Sequence, residues 1–168
     1  MAVVASAREG LLAAGRATVI QLRSPGLTAR ELEANAKELV GASPVPVLIS
    51  SRCDIALASG AAGVNLPERD ISVEDARKLV GQRLVGRSVH SVESAVDAER
   101  EGADFVIFGP VWSSESHMGT SPQGLDALAA VARAVSIPVL AIGGVTEDRI
   151  AECEAAGAAG YAAIRLFQ

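Results

Sequence analysis

His90 is one of only two histidines in the chain of 168 residues, and it lies in the stretch GRSVHS, residues 86–91. The stretch follows a short apolar run. Because the ordinary pKa of histidine is about 6.5, its side chain can accept and return a proton at neutral pH. Two interpretations are open at this point: a catalytic acid/base that Ser88 and Ser91 orient, or a half-buried side chain hydrogen-bonded to the backbone.

Gly143 and Gly144 end the apolar run IPVLAIGG, just before a predicted helix that begins near Thr146. Glycines allow backbone N–H groups to approach a ligand closely, and a helix N-terminus favours an anion. Arg165 follows the last apolar run and can add a charged contact. This pattern favours a phosphate site, and the alternative is a tight turn that holds no ligand.

The elements that must position these residues are short apolar runs separated by helical patterns. The runs are mostly continuous, which is typical of strands buried on both faces of a parallel sheet. One helical pattern begins with Thr28 and Glu31, which predicts a capping box, and another begins with Ser91 and Ser94. The predicted strands are Ala2–Ala5, Thr18–Leu22, Val45–Ser50, Gly63–Leu66, Arg83–Ser88, Phe105–Gly109, Val139–Gly143 and Gly160–Arg165.

Eight such strands with intervening helices predict one compact (β/α)8 TIM barrel over residues 1–168. The first strand is very short, and we expect the usual closing helix after the eighth strand to be missing. A doubly wound sheet is the alternative, but nothing in the sequence signals the reversal of strand order that it requires.

In a barrel, the residues that follow the strands meet at one face, where function resides. Polar and glycine residues gather at the predicted strand ends: Gln21, Arg23, Ser50, Asn65, Ser88, His90 and Gly109. The polar stretch 113–124 follows the sixth strand and is predicted to form a loop over this face. Trp112 either covers the pocket or packs beneath that loop, and His117 is interpreted as solvent-exposed.

Composition excludes several classes of function. The net charge is −5 and the pI about 5.1, with no basic patch for nucleic acid. No apolar run is long enough to cross a membrane, and no signal peptide is evident.

Cys53 and Cys153 match no metal-ligand spacing, so we expect reduced thiols in the cytoplasm. The isolated carboxylates Asp54, Asp70 and Asp104 predict no metal site by themselves.

Four stretches in a fixed order resemble the thiamin phosphate synthase superfamily, from about Thr18 to Leu166: VIQLR, SSRCDIALASGAAGVNLP, VGRSVHSVESAVDAEREGADFVIFGPVW and IPVLAIGGVT. The resemblance implies a (β/α)8 barrel that binds phosphorylated ligands. The superfamily contains metal-dependent synthases and metal-free thiazole tautomerases, and the sequence resembles the tautomerase (TenI-like) branch most.

The sequence departs from the synthases where they bind magnesium and pyrophosphate. They carry Asn-Asp-Arg after the third strand, and its aspartate binds magnesium; residues 50–52 are Ser-Ser-Arg here. Asp70 matches the second magnesium-binding aspartate, but it would be alone. Pro25 replaces a lysine, and the pyrophosphate loop keeps hydroxyls at Ser114 and Ser116 without its lysine.

GRSVHS and VNLP instead resemble the tautomerase branch, with Asn65 where synthases usually have histidine. The resemblance implies that His90 transfers a proton on a thiazole carboxylate phosphate without metal or cofactor. Gly143, Gly144 and Arg165 would hold the phosphate. The remaining predicted substrate contacts are Arg23, Ser50, Asn65, Ser88, Gly109, Ser114 and Ser116.

Two other functions stay open: a residual thiamin phosphate synthase that uses Asp70 and the loop serines, and a non-catalytic phosphate-binding or regulatory protein. The partner we expect is a small phosphorylated thiazole rather than nucleic acid or a membrane. Apolar surface at Leu166 and Phe167 also predicts a homo-oligomer.

Overall fold

The computed structural model describes residues 1–113 and 121–168. Within them, eight strands alternate with seven α-helices. The strands are β1 (Ala2–Val4), β2 (Ile20–Leu22), β3 (Val47–Ser50), β4 (Gly63–Leu66), β5 (Leu84–Val89), β6 (Phe105–Phe108), β7 (Val139–Ile142) and β8 (Gly160–Ala162). The helices are α1 (Ala7–Ala13), α2 (Ala29–Ala42), α3 (Cys53–Ser59), α4 (Val73–Val80), α5 (Val92–Arg100), α6 (Gly124–Ala134) and α7 (Ile150–Ala155).

All eight strands are parallel, and each pairs with the next strand in the chain. The last strand also returns to the first, because the Val3 N–H donates to the Ala163 carbonyl at 2.9 Å and the Ala163 N–H donates to the Met1 carbonyl at 3.1 Å. The sheet therefore forms a nearly closed (β/α)8 barrel, as the sequence predicts. The doubly wound alternative is wrong, since the strand order never reverses.

Alternation along each strand divides the core into two layers. In β3, for example, Leu48 belongs to the cluster inside the barrel, whereas Ile49 belongs to the cluster between strands and helices. The inner cluster includes Phe105 and Ile107, and a Cβ at Gly86 would collide with the Phe105 ring. One aromatic ring thus fills lumen space that a glycine on the neighbouring strand leaves open.

Capping side chains fix the starts of two helices that follow strands. Thr28 and Glu31 form the predicted capping box of α2, with the Thr28 N–H donating to Glu31 Oε2 at 2.8 Å. Ser91 and Ser94 form the second box at the start of α5, directly after His90. Thr146 is different: it makes no side-chain cap, and a 3₁₀ turn, Glu147–Arg149, precedes α7.

The chain after β8 differs from the predicted strand. β8 ends at Ala162 rather than Arg165, and a 3₁₀ turn follows at Arg165–Phe167. The Phe167 ring stacks on Tyr161 with centroids 6.1 Å apart, so that part of this apolar surface is covered within the chain. Self-association through Leu166 and Phe167 stays a prediction. Across residues 1–113 and 121–168, no helix has the length and apolar character to cross a membrane.

Candidate active site

A cluster of polar side chains lies in the barrel towards the carboxyl ends of β2 to β5. We call it the polar floor, and it consists of Gln21, Ser50, Asn65 and Ser88. Gln21 and Asn65 are buried, at 3% and 2% exposure, between residues whose side chains face the helices. Ser50 is the register partner of Asn65, and the Asn65 amide Nδ2 donates to Ser88 Oγ at 3.1 Å. The structure therefore brings together three predicted substrate contacts, Ser50, Asn65 and Ser88, and adds Gln21.

Asn65 carries an unpaired acceptor. Its Oδ1 is buried and has no hydrogen-bond partner among the residues that the structure describes. Leaving a buried polar atom unpaired costs about 1–3 kcal/mol. A protein tolerates such a cost where a ligand supplies the missing donor, and we therefore include Asn65 in the candidate site.

We expect Asn65→Leu to leave the free energy of unfolding at or above that of the wild type. Leucine removes the penalty of the unpaired acceptor, which offsets the lost bond to Ser88. Asn35→Leu is the matched control, because Asn35 Oδ1 accepts from the Ala7 N–H and its Nδ2 donates to the Glu31 carbonyl, both at 3.1 Å. This control should lose about 1 kcal/mol. Urea denaturation measures both, and a loss of stability at Asn65→Leu equal to the control's would contradict this interpretation.

His90 lies at the rim of the barrel, immediately after β5, with its side chain 46% exposed. Its Nδ1 lies 2.9 Å from Glu68 Oε2, and its backbone N–H donates to Glu68 Oε1 at 3.0 Å. The prediction that Ser88 and Ser91 orient the ring is wrong, because Ser88 pairs with Asn65 and Ser91 caps α5. The orienting group is a carboxylate from the loop after β4.

Glu68 is the functional candidate that sequence reasoning missed. Partial burial opposes ionisation of its carboxyl, but hydrogen bonds from Ser94 and His90 outweigh burial and lower the pKa of Glu68. The carboxylate therefore stays ionised at neutral pH. The sequence did hold a signal: Glu68 follows shortly after β4, and β4 is the neighbour of β5, the strand that His90 follows.

The end of β3 lacks the donor set of a magnesium site. Ser51, in the left-handed region with φ 68°, donates its hydroxyl to Asp70 Oδ2, while Asp70 Oδ1 accepts from the Ile71 N–H at 2.8 Å. Arg52 is paired with Asp54 through two contacts, at 2.9 and 2.6 Å. No group of three potential metal ligands occurs within the described ranges. A single carboxylate with both oxygens in use does not fit Mg²⁺, which favours near-octahedral oxygen coordination.

The two glycines after β7 are required by the turn that they form and by close packing against the chain after β6. Gly143 and Gly144 have φ of 92° and 67°, which favour glycine. A Cβ at Gly144 would lie 2.7 Å from the Trp112 Cβ, and one at Gly143 would lie 2.6 Å from the Pro110 Cβ. Neither backbone N–H donates to an acceptor in the described parts of the chain. The phosphate role of these two N–H groups stays a prediction.

Arg149 is a cation that sequence reasoning did not place near these glycines. It donates to the Gly144 carbonyl at 2.8 Å, and its guanidinium lies 4.9 Å from the centroid of the Trp112 ring. With Gln123, these side chains line an open cavity of about 380 Å³. Trp112 is half-buried, packs against the core and also lines this cavity. Whether it covers the substrate pocket or packs beneath the loop that follows stays a prediction.

The other predicted contacts are spread around the face. Arg23 is exposed after β2, and Arg165 is exposed in the 3₁₀ turn after β8. Gly109 is buried, and a Cβ there would collide with the Ile142 carbonyl, so packing of β6 against β7 already requires this glycine. Ser114, Ser116 and His117 lie outside the described residues.

Comparison with known proteins gives one consistent family. Residues 3–167 match the family model described as thiamine monophosphate synthase. The thiamine-phosphate synthase of Anaeromyxobacter dehalogenans is 44% identical over 96% of this chain and 73% of its own. That of Methanoculleus marisnigri is 42% identical over 92% of this chain and 75% of its own. The solved structure of thiamine phosphate pyrophosphorylase from Pyrococcus furiosus matches with a TM-score of 0.86 and 31% identity, covering 97% of this chain and 84% of that one.

Proposed function

The chain belongs to the thiamine monophosphate synthase family, and on that premise we propose that it is a metal-independent thiazole tautomerase. The names of its relatives favour the synthase reaction instead. The two reactions differ in what they require at the catalytic face. A synthase of the kind that the resemblance implies needs carboxylates for magnesium, whereas a tautomerase needs one acid/base group.

The hydrogen bond between Ser51 and Asp70 carries this proposal. It replaces the pair of aspartates that the resemblance implies for the synthases with one carboxylate and one hydroxyl. Arg52, the residue after Ser51, forms a salt bridge with Asp54. His90 is then the residue at the barrel rim whose imidazole can accept and return a proton.

The substrate would be a thiazole carboxylate phosphate with an exocyclic double bond. His90 would remove the proton from ring carbon C2, and the electron pair would delocalise into the ring nitrogen and the carboxylate. The same residue would return a proton to the exocyclic carbon, which leaves an aromatic ring. Atoms and charge balance without a co-reactant, and aromaticity supplies the driving force. General acid/base catalysis of this kind contributes about 10²–10⁴-fold.

The substrate would bind in two places: its phosphate at the glycines after β7, and its ring and carboxylate at the polar residues of β3 to β5. The N–H groups of Gly143 and Gly144 would bind the phosphate, since neither has an acceptor in the described parts of the chain. Asn65 Oδ1, which is buried and has no partner within residues 1–113 and 121–168, would accept a hydrogen bond from the substrate or from a water molecule held with it. Ser50, Ser88 and Arg23 would complete the contacts to the ring and its carboxylate.

Thiamin phosphate synthesis is the second candidate, and the relatives' names are the observation that favours it. It is tested by supplying the synthase substrates with Mg²⁺ and assaying thiamin phosphate. The tautomerase proposal is tested by following the absorbance of the thiazole as it becomes aromatic, with EDTA present. Formation of thiamin phosphate together with no acceleration in EDTA would replace the first function with the second.

Metal binding separates the candidates without an activity assay. We expect the wild type to bind Mn²⁺, a probe for Mg²⁺, no better than a surface carboxylate does. Ser51→Asp should bind it about tenfold tighter or more, because a second carboxylate then lies beside Asp70. Gln82→Glu, which adds the same charge at an exposed position, is the control. Electron paramagnetic resonance of free Mn²⁺ reports binding, and tight wild-type binding that Asp70→Asn abolishes would contradict the assignment.

We also infer a cytoplasmic location for the enzyme, which its thiols support. Cys53 and Cys153 are free and buried. Burial, followed by the neighbouring carboxylates, raises the pKa of each thiol. Both therefore stay protonated at neutral pH, as is typical of structural cysteines in a reducing compartment.

A further inference from the structure

Both oxygens of the Glu68 carboxylate contact His90, and Ser94 also donates to this carboxylate. Oε1 accepts the backbone N–H of His90 at 3.0 Å, and Oε2 lies 2.9 Å from Nδ1 of the same histidine. A contact to the backbone and a contact to the ring restrict both side-chain torsions of His90. This arrangement, which we name the Glu68–His90 clamp, orients the imidazole although it is half-exposed.

The loop that carries Glu68 is itself anchored to the strand that carries His90. Arg87, on β5, donates through Nη2 to the Glu68 carbonyl at 2.8 Å and through Nη1 to the Ile71 carbonyl at 2.7 Å. Asp70, in the same loop, accepts from Ser51 at the end of β3. β5 therefore positions both residues of the clamp: Arg87 holds the backbone of Glu68, and His90 directly follows the strand. The distance between Glu68 and His90 does not depend on the stiffness of the loop alone.

On the other side, α5 fixes the backbone of His90. The capping box of Ser91 and Ser94 begins one residue later, and Ser94 Oγ also accepts the His90 N–H at 3.3 Å. The histidine is therefore held between a strand end and a capped helix start. The clamp adds the one element that these backbone contacts do not supply, which is the direction of the ring.

We propose that Glu68 is a positioning residue, which holds His90 in the tautomer protonated at Nδ1 and leaves Nε2 as the base. An ionised carboxylate only accepts hydrogen bonds, so the nitrogen that faces it must carry the proton. The lone pair of the neutral imidazole then lies on Nε2. The inference rests on the proposed function for its consequence in catalysis, but the tautomer is a property of the free protein.

The expected catalytic effect is a fall in kcat of about 10- to 100-fold for Glu68→Gln, with little change in KM. Replacing a carboxylate that fixes a catalytic histidine tautomer lowers kcat by about 10⁴ when the pair is buried. Glu68 is 33% exposed, so solvent moderates the effect here. A glutamine amide can donate to Nδ1 or accept from it, and this ambiguity removes the preference for one tautomer while preserving size and packing.

The test is long-range ¹H–¹⁵N NMR of histidine-labelled protein without ligand, with the His90 signals assigned by their loss in His90→Asn. We expect the neutral ring of the wild type to be predominantly protonated at Nδ1, and Glu68→Gln to lose that preference. Glu93→Gln is the matched control, because it removes an equal charge from the exposed first turn of α5 without touching the ring. It should leave the tautomer unchanged.

A wild-type ring protonated mainly at Nε2, or a tautomer ratio that Glu68→Gln leaves unchanged, would overturn the proposal. Glu68→Asp gives a second check: a shorter carboxylate should restore part of the Nδ1 preference. Failure of the proposed function gives a different pattern, in which the tautomer responds to Glu68 as expected but the wild type does not accelerate aromatisation.

Discussion

Replacing His90 with asparagine is expected to lower the rate of thiazole aromatisation by about 10²–10⁴-fold. The variant loses the only titratable nitrogen that the clamp presents, but asparagine keeps an N–H that can still donate to Glu68. The fold should therefore survive, and kcat should fall far more than KM rises. The absorbance of the aromatic product, followed with EDTA present, measures the loss.

Asp97→Asn is the control for this variant. Asp97 lies on α5, and its carboxylate pairs with Arg100 at the surface, at 2.6 Å. It should retain full activity, and thermal unfolding should be similar for both variants. If His90→Asn retained wild-type activity, the histidine would be a structural residue of the rim.

Replacing Gly63 with alanine is expected to lower the free energy of unfolding by about 3 kcal/mol, the upper end of the usual cost of overpacking. A Cβ at this position would collide with the carbonyl of Leu84 on the adjacent strand. The collision is between two backbones, so no change of rotamer relieves it. β4 and β5 would have to separate at the point where they begin to pair.

Gly41→Ala is the matched comparison, because it makes the same chemical change in α2, where a Cβ meets nothing within 4 Å. It should raise the free energy of unfolding by about 0.5–1 kcal/mol, the usual gain of alanine over glycine in a helix. Urea denaturation of both variants measures the contrast. Equal stabilities would show that the barrel accommodates the extra methyl group by shifting its strands.

The fold was predictable because its signals are local. Continuous apolar runs such as VPVLIS are typical of strands buried on both faces of a parallel sheet, and the Thr28 and Glu31 pattern fixes the start of α2 without tertiary information. Strand ends were less predictable. The eighth strand stops at Ala162, where pairing with β7 ends, although apolar residues continue to Phe167.

The candidate site was predictable in part, since barrel topology brings strand ends together whatever the loops do. Ser50, Asn65 and Ser88 meet for that reason. Contacts from loops could not be predicted in the same way. Glu68 reaches His90 because Arg87 anchors the loop after β4, and no periodicity encodes a hydrogen bond to a loop carbonyl.

Overall identity to synthases and the residues at the reacting centre point to different reactions. Relatives named for the synthase reaction are 42–44% identical over 92–96% of this chain. The choice of reaction depends on a few positions, and at position 51 this chain carries a serine whose hydroxyl donates to Asp70. This is why the family follows from the comparisons while the reaction is proposed from the site.

The central claim is that this barrel moves a proton on a phosphorylated thiazole without a metal ion. The most direct measurement is the rate of aromatisation by the wild type in EDTA, repeated after Mg²⁺ is restored, against the rate in buffer alone. We predict acceleration in EDTA of about 10²-fold or more, with no further gain from Mg²⁺. A rate equal to that of buffer in EDTA, whether or not Mg²⁺ restores activity, would contradict it.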